Sequence, residues 1–290
     1  MSQRRLHFSQ ATILRRKITN YVMIGLCAVC VVLALIPLAL ILFYTVREGI
    51  GAINLDFFTQ LPKPVGEPGG GMANAIVGTL IMMGMSAMIG VPIGILCGVY
   101  LSEYGNNRFA SVVRFLVEVM SGLPSIIVGI FTYSLVVKPM GRFSAYAGAV
   151  ALAVLMIPTI TKTTDELLKL VPNTLREAAL ALGAPQWIVN TRIVLRAAAK
   201  GIVTAVMLSV ARVAGETAPL LFTAMNNRFW HNNLDQPIAS LPVQIYTYAT
   251  SPYDDWHAQA WAGATVLIVI VFVLSVVVRV VSGGKFTVQQ

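Results

Sequence analysis

"TKTTDELLKLVPNTLREAALALG", residues 161 to 183, separates two apolar runs and has helical punctuation of its own. Thr163 and Glu166 stand at capping-box spacing, and Pro172 stops whatever helix they begin. Thr174 and Glu177 repeat the arrangement, so Thr174 is the predicted N-cap with Glu177 at the third helical position. Leu175, Ala178, Ala179 and Leu182 follow at helical spacing, which makes one apolar face on a helix of about two turns. Gly183 supplies the C-terminal stop. A short amphipathic helix in a polar loop needs a groove, either on a partner or on its own bundle or membrane surface.

The segments flanking this loop are too apolar for a soluble protein. Hydrophobic residues make up 57% of the chain, charged residues 11%, and the mean hydropathy is +0.76. A soluble domain carries about twice that charged fraction, which makes this an integral membrane protein. A spanning helix needs about 20 apolar residues. Six segments meet that length: 21–45, 73–101, 112–137, 143–160, 200–224 and 260–281. Six spans put both termini on one side. That side, with the 102–111 and 161–200 loops and their flanks, holds 15 of the 21 Lys and Arg. The opposite loops hold Arg47, Lys63, Lys138, Arg142 and Arg228, so the first side and both termini are cytoplasmic. The net charge of +9 is thereby assigned to membrane topology, and a nucleic-acid reading loses its support.

Three regions divide the chain. Residues 1–45 form a cytoplasmic basic N-terminus and transmembrane helix 1, with Arg4, Arg5, Arg15, Arg16 and Lys17 ahead of an apolar run too long for a signal-peptide core. Residues 46–72, containing "LPKPVGEPGGG", read as an external linker, and 73–285 as a five-helix core. Gly90, Gly94 and Gly98 form a stripe that lets another helix approach closely. Gly122 and Pro124 are expected to kink the third span and free backbone groups to line a cavity. The external 225–259 loop carries Trp230, Tyr246, Tyr248, Tyr253 and Trp256, aromatics suited to the membrane–water interface. It serves either as a rim for an external partner or as a membrane anchor.

Catalytic chemistry has little to work with. No G-x-x-x-x-G-K-[ST] loop is present to cradle a nucleotide. His7, His231 and His257 are isolated in polar stretches and read as solvated. Ser125 has no histidine in any span to act as its base. Cys27 and Cys30 form a C-x-x-C without a second pair or nearby histidine, and read as small packing residues rather than a metal site. The chain is predicted not to be an enzyme and to need no cofactor or metal.

"EAALALGAPQWIVNTRIVL", residues 177–195, resembles the EAA motif of ABC importer permeases: Glu-Ala-Ala, three residues, Gly, nine residues, then Ile-x-Leu-Pro. Glu177, Ala178, Ala179, Gly183, Ile193 and Leu195 match, and Arg196 stands where the motif has proline. "GLPSIIVGI" at 122–130, "GETAPLL" at 215–221 and the outer loop from Asn226 to Trp261 are similar to the phosphate-specific branch of that family, of PstA type. The resemblance covers about 70–285. It implies an all-α type I importer core (MetI-like) of six transmembrane helices, with a cytoplasmic coupling helix between helices 4 and 5. Glu177, Ala178, Ala179 and Gly183 then belong to the contact with an ATP-binding subunit, which hydrolyses the ATP. The implied partners are a second permease of PstC type, two ATP-binding subunits of PstB type and an extracytoplasmic phosphate-binding protein of PstS type. The implied location is the bacterial inner membrane. Other oxyanions (molybdate, sulfate, tungstate) remain an alternative cargo. A stand-alone secondary transporter would need inverted repeats, and none is visible.

Arg212 and Glu216 sit inside an apolar run, one helical turn apart and toward the outer half of the predicted fifth span. A lone arginine at a helix centre costs about 2.5–3.5 kcal/mol on insertion scales, so this one faces protein or water. Either it locks the bundle with Glu216 and Glu118, or the three residues line the substrate path and Arg212 offers its fork of donors to a passing anion.

Overall fold

The computed structural model describes residues 10–67, 69–230 and 233–285; His7 and His231 lie outside them. The described residues form helices α1 (Gln10–Gly49), α2 (Leu55–Thr59), α3 (Ala73–Glu103), α4 (Arg108–Gly122), α5 (Ser125–Thr132), α6 (Lys138–Met140) and α7 (Ala145–Lys169). They continue with α8 (Asn173–Ala181), α9 (Gln186–Ile188), α10 (Leu195–Ala214), α11 (Ala218–Thr223), α12 (Leu241–Ala249) and α13 (Asp254–Lys285). Two π-helical turns, Tyr133–Val137 and Val189–Val194, join α5 to α6 and α9 to α10. The chain divides into two units, Met1–Glu48 and Gly49–Gln290.

The first unit is a single helix where described. The 40 residues of α1 rise ~60 Å at 1.5 Å each, about twice the hydrocarbon thickness of a bilayer. Its most apolar window has a mean hydropathy of 3.1, and apolar side chains occupy every side of it. Cys27 and Cys30, expected to pack, are exposed on this helix.

In the second unit α7 is the central helix: 67% of its apolar window is buried, against 28% in α3 and 28% in α13. The α3 glycines make its closest contact. A Cβ on Gly94 would stand 2.8 Å from Ile160 Cβ, and one on Gly98 would stand 2.5 Å from Thr164 Cβ, distances that real side chains do not tolerate. Gly90 faces Met156, Gly94 faces Ile160 and Gly98 faces Thr164, so the two helices run parallel and their C-termini lie side by side. Met82, Leu152, Met156, Ile160, Val213 and Leu220 form the main apolar cluster between α3, α7, α10 and α11.

Several boundaries differ from expectation. The third apolar run is not one helix, since α4 and the α5–α6 segment meet at 109° across Leu123 and Pro124. Proline lacks the N–H that would continue the ladder and pushes the preceding residue into extended backbone, as seen at Leu123 (φ −72°, ψ 133°). Long apolar helices therefore number five among the described residues, or six with this bent pair as one crossing. The fourth span runs on to Lys169, so Thr163 and Glu166 lie within a helix instead of opening one. Thr163 Oγ1 bonds back to Thr159 O at 3.0 Å, leaving no capping box there. Burial of Thr161, Thr164, Asp165 and Leu168 on one face carries the helix past the expected end.

The Pro/Gly-rich stretch belongs to the second unit and is preceded by a short helix of its own, α2. Asn54 Oδ1 caps α2 by accepting from Phe57 N at 2.8 Å, and the Phe57 ring is fully buried. Gly71 lies so close to Phe57 O that a Cβ would stand 2.7 Å from it. Phe57, Met72, Leu241, Tyr248 and Val266 make a second apolar cluster.

Candidate functional site

Two places in the second unit bring arginine and glutamate together. The first is the polar loop. Its helix α8 starts at Asn173 with Pro172 as N-cap, and no side chain caps it. The predicted capping box of Thr174 and Glu177 is therefore absent, because Pro172 (φ −57°, ψ 138°) already sets the entry and moves the start two residues earlier. The C-terminus is as the sequence predicts. Gly183 takes the left-handed conformation (φ 82°), its N–H bonds Leu180 O at 2.9 Å, and Ala184 N–H bonds Ala179 O at 3.2 Å. That pair of bonds is the Schellman closure that glycine permits.

The apolar face expected on this helix is split. Ala179 is buried in the unit's own core with Leu168, Val171, Val189, Val194 and Ile202. Glu177, Ala178 and Gly183 are exposed, as are Leu175 (43%) and Leu182 (88%). Trp187 extends this outward patch beyond the helix. The loop helix thus has one side seated on its own bundle and another left open.

Arg176, on the seated side, carries a role that local reading of the sequence missed. Its Nη1 donates to both carboxylate oxygens of Glu103, the last residue of α3, and its Nη2 donates to Leu168 O at 2.7 Å. The two side chains are 16% and 3% exposed, so the pair is almost fully enclosed. Nearby, Arg114 Nη2 donates to Leu101 O at 2.7 Å and its Nε lies 3.8 Å from Asp165, which also accepts from Lys169 Nζ at 2.6 Å. The parallel ends of α3 and α7 present the negative poles of two helices side by side. Arg114 and Arg176 sit at those poles, and each donates to one of the last carbonyls of a helix. Glu103 and Arg176 are 73 residues apart, and no local spacing rule could have paired them.

The second place is the break between α10 and α11. Arg212 lies in the last turn of α10, Gly215 is the C-cap, and Glu216 falls in the gap before α11. The single fifth helix expected over 200–224 is therefore two helices. Arg212 Nε stands 3.9 Å from Glu216 Oε1, with side-chain exposures of 57% and 16%. The break accounts for both charges, since a cation suits the C-terminal pole of α10 and an anion suits the start of α11. Val206, Val210 and Val213 turn the other face of α10 to the core. Glu118 is exposed on α4, and among the described residues Arg212 pairs with Glu216 and not with Glu118.

On the outer loop Tyr248 stacks on Trp256 with ring centroids 4.4 Å apart, and Arg228 lies 5.4 Å from the centroid of the same indole. Burial raises the pKa of the Tyr248 phenol; a hydrogen bond with Gln244 and the Arg228 charge offset it in part. His257, expected to be solvated, is half-buried, and its Nε2 lies 2.6 Å from Ser251 O. It lines a pocket between α12 and α13 with Ile245 and Ala249. Among the described residues no cluster of His, Cys, Asp or Glu has metal-binding geometry.

A multi-pass helical bundle with a punctuated helix hung between its fourth and fifth crossings defines a class: the membrane permeases of ABC importers. Residues 90–284 match the family described as binding-protein-dependent transport system inner membrane component. The fold is similar to a chain of the MetNI methionine ABC transporter in inward-facing form (TM-score 0.63, 20% identity, 73% of this chain and 95% of that one). It is also similar to a chain of a bacterial ABC transporter that imports the acidic polysaccharide alginate (TM-score 0.63, 15% identity, 94% and 98%). The phosphate transport system permease protein PstA of Haemophilus influenzae is 49% identical over 91% of this chain and 94% of its own. That of Yersinia pestis is 44% identical over 93% and 92%. The chain belongs to this inner-membrane component family and, within it, to the PstA phosphate transport permeases.

Proposed function

We propose that this chain is the transmembrane permease subunit of an ATP-driven importer that moves inorganic phosphate into the cytoplasm. The observation that carries the reading is the 49% identity to a PstA permease across 91% of the chain. Its partners are a second permease of PstC type, two ATP-binding subunits of PstB type and an extracytoplasmic phosphate-binding protein of PstS type. The excess of Lys and Arg at both ends and on the 161–200 loop supports cytoplasmic termini. On that orientation residues 1–45 anchor the subunit, 46–72 lie outside and 73–285 form the core.

The open side of α8 meets the ATP-binding subunit through Glu177, Ala178 and Gly183, with Leu175 and Leu182 as apolar contacts. Ala179 supports that contact from within, as the seat of the helix. Arg212, Glu216 and Glu118 face the substrate path. The 57% exposure of Arg212 favours a path over a lock of this chain's own bundle, because a lock is shielded from solvent and from partners. A guanidinium held loosely by one carboxylate attracts an oxyanion without trapping it.

Uptake of labelled phosphate, sulfate and molybdate in a strain lacking the gene, with and without the restored gene, tests the reading. Phosphate uptake alone is expected to return. Restoration of sulfate or molybdate uptake instead would transfer the function to another oxyanion. Uptake that persists after ATP is removed would point to a secondary transporter.

A further inference from the structure

We infer that the enclosed Arg176–Glu103 pair is the strut that carries movement of the loop helix into the membrane helices. The inference rests on the permease reading above and adds to it the residues through which force passes. Three observations support it. Glu103 ends α3, where the helix's own negative pole disfavours an anion, and it is only 3% exposed. A carboxylate so placed needs a cation, and Arg176 supplies one through both of its oxygens. The same guanidinium also holds Leu168 O on α7, so one side chain ties α8 to both helices.

Those two helices are the most closely packed pair in the unit. With no room for a Cβ at Gly94 or Gly98, α3 and α7 shift together or not at all. A second tie, from Asn190 Nδ2 to Tyr104 OH at 3.3 Å, holds the π-helical turn after α8 to the same end of α3. Ala179 adds only a small apolar seat, which would let the helix slide. The guanidinium resists sliding because it spans two anchors, with Nη1 on the Glu103 carboxylate and Nη2 on Leu168 O, and a shift of α8 would break one of them. A displacement of α8 by an ATP-binding subunit is therefore passed to α3 and α7 as a unit.

The strut can be tested in the assembled transporter in proteoliposomes, by measuring ATP hydrolysed and phosphate transported in the same vesicles. Glu103→Gln keeps the shape of the side chain and removes its charge; Arg176→Lys keeps the charge and removes the second nitrogen that reaches Leu168 O. Both variants are expected to assemble and hydrolyse ATP, with phosphate moved per ATP falling about tenfold, an ordinary size for a lost coupling. The rise in hydrolysis on adding phosphate-loaded binding protein is expected to disappear as well. An unchanged ratio in either variant overturns the strut, and so does loss of assembly in both, which would make the pair a folding element. A wild-type complex that hydrolyses ATP without moving phosphate would overturn the permease reading instead.

Discussion

Among its described residues the second unit contains two Arg–Glu pairs, and they are built in opposite ways. Arg176 and Glu103 come from distant parts of the chain, are nearly buried, and meet within hydrogen-bond distance at both carboxylate oxygens. Arg212 and Glu216 are four residues apart, meet at 3.9 Å through a single nitrogen, and leave the arginine more than half exposed. Removing one member of an enclosed pair strands the other charge away from water, which makes such a pair a fixed joint. A loose, open pair has little to lose by exchanging partners. The first therefore suits transmission of force, and the second suits brief contact with a moving anion.

The largest expected effect tests the first half of that contrast. Glu103→Ala leaves Arg176 with Leu168 O alone and should destabilise the permease by about 3 kcal/mol, the lower end for breaking a buried pair. Glu216→Ala should cost no more than about 1 kcal/mol, because the Arg212 it leaves behind is 57% exposed and is not stranded. Thermal unfolding of the two purified variants gives the difference. Equal losses would erase the distinction between joint and loose pair.

The two pairs also show how much a sequence can reveal. Spacing alone placed Arg212 and Glu216 together, because i and i+4 are neighbours on any helix. It did not reveal that Gly215 ends the helix between them. Glu103 lies two residues past the 73–101 apolar run and far in sequence from Arg176. Its partner could be found only once the glycine stripe had drawn α3 and α7 into parallel contact and brought their ends under α8. The six apolar runs, the stripe and the stop at Gly183 are local patterns and were legible. The capping boxes failed because tertiary burial extended α7, and because Pro172 took the entry to α8. Which face of α8 turns inward was not legible, since Leu175, Ala178, Ala179 and Leu182 are all apolar or small.

That ambiguity yields the next prediction, which sharpens the split between the seated and open sides of α8. Ala179→Asp puts a carboxylate into a site only 7% exposed and should destabilise the chain by about 2 kcal/mol. Leu182→Asp alters a residue 88% exposed and should leave stability unchanged. The open-side variant should nevertheless lose phosphate uptake and co-purification of the ATP-binding subunit. Normal co-purification of that subunit with Leu182→Asp would remove the open side from the contact.

The smallest effect on stability, and the sharpest test of the loose pair, comes from exchanging its charges. Arg212→Glu combined with Glu216→Arg keeps an opposite-charge pair at the same two positions, so any attraction within the pair survives. It also places an anion at the negative pole of α10 and a cation ahead of α11, each mismatch costing about 0.3–1 kcal/mol. The doubly substituted permease should therefore assemble, with a melting point close to wild type. If the pair serves only to hold α10 against α11, uptake should survive with it. If Arg212 meets the anion, the exchange replaces an outward-facing guanidinium with a carboxylate that repels phosphate, and uptake should fall to background. We expect an assembled, inactive transporter. Full uptake by the exchanged pair would reduce Arg212 and Glu216 to a structural clasp and leave the strut beneath α3 as the molecule's only functional Arg–Glu pair among the described residues.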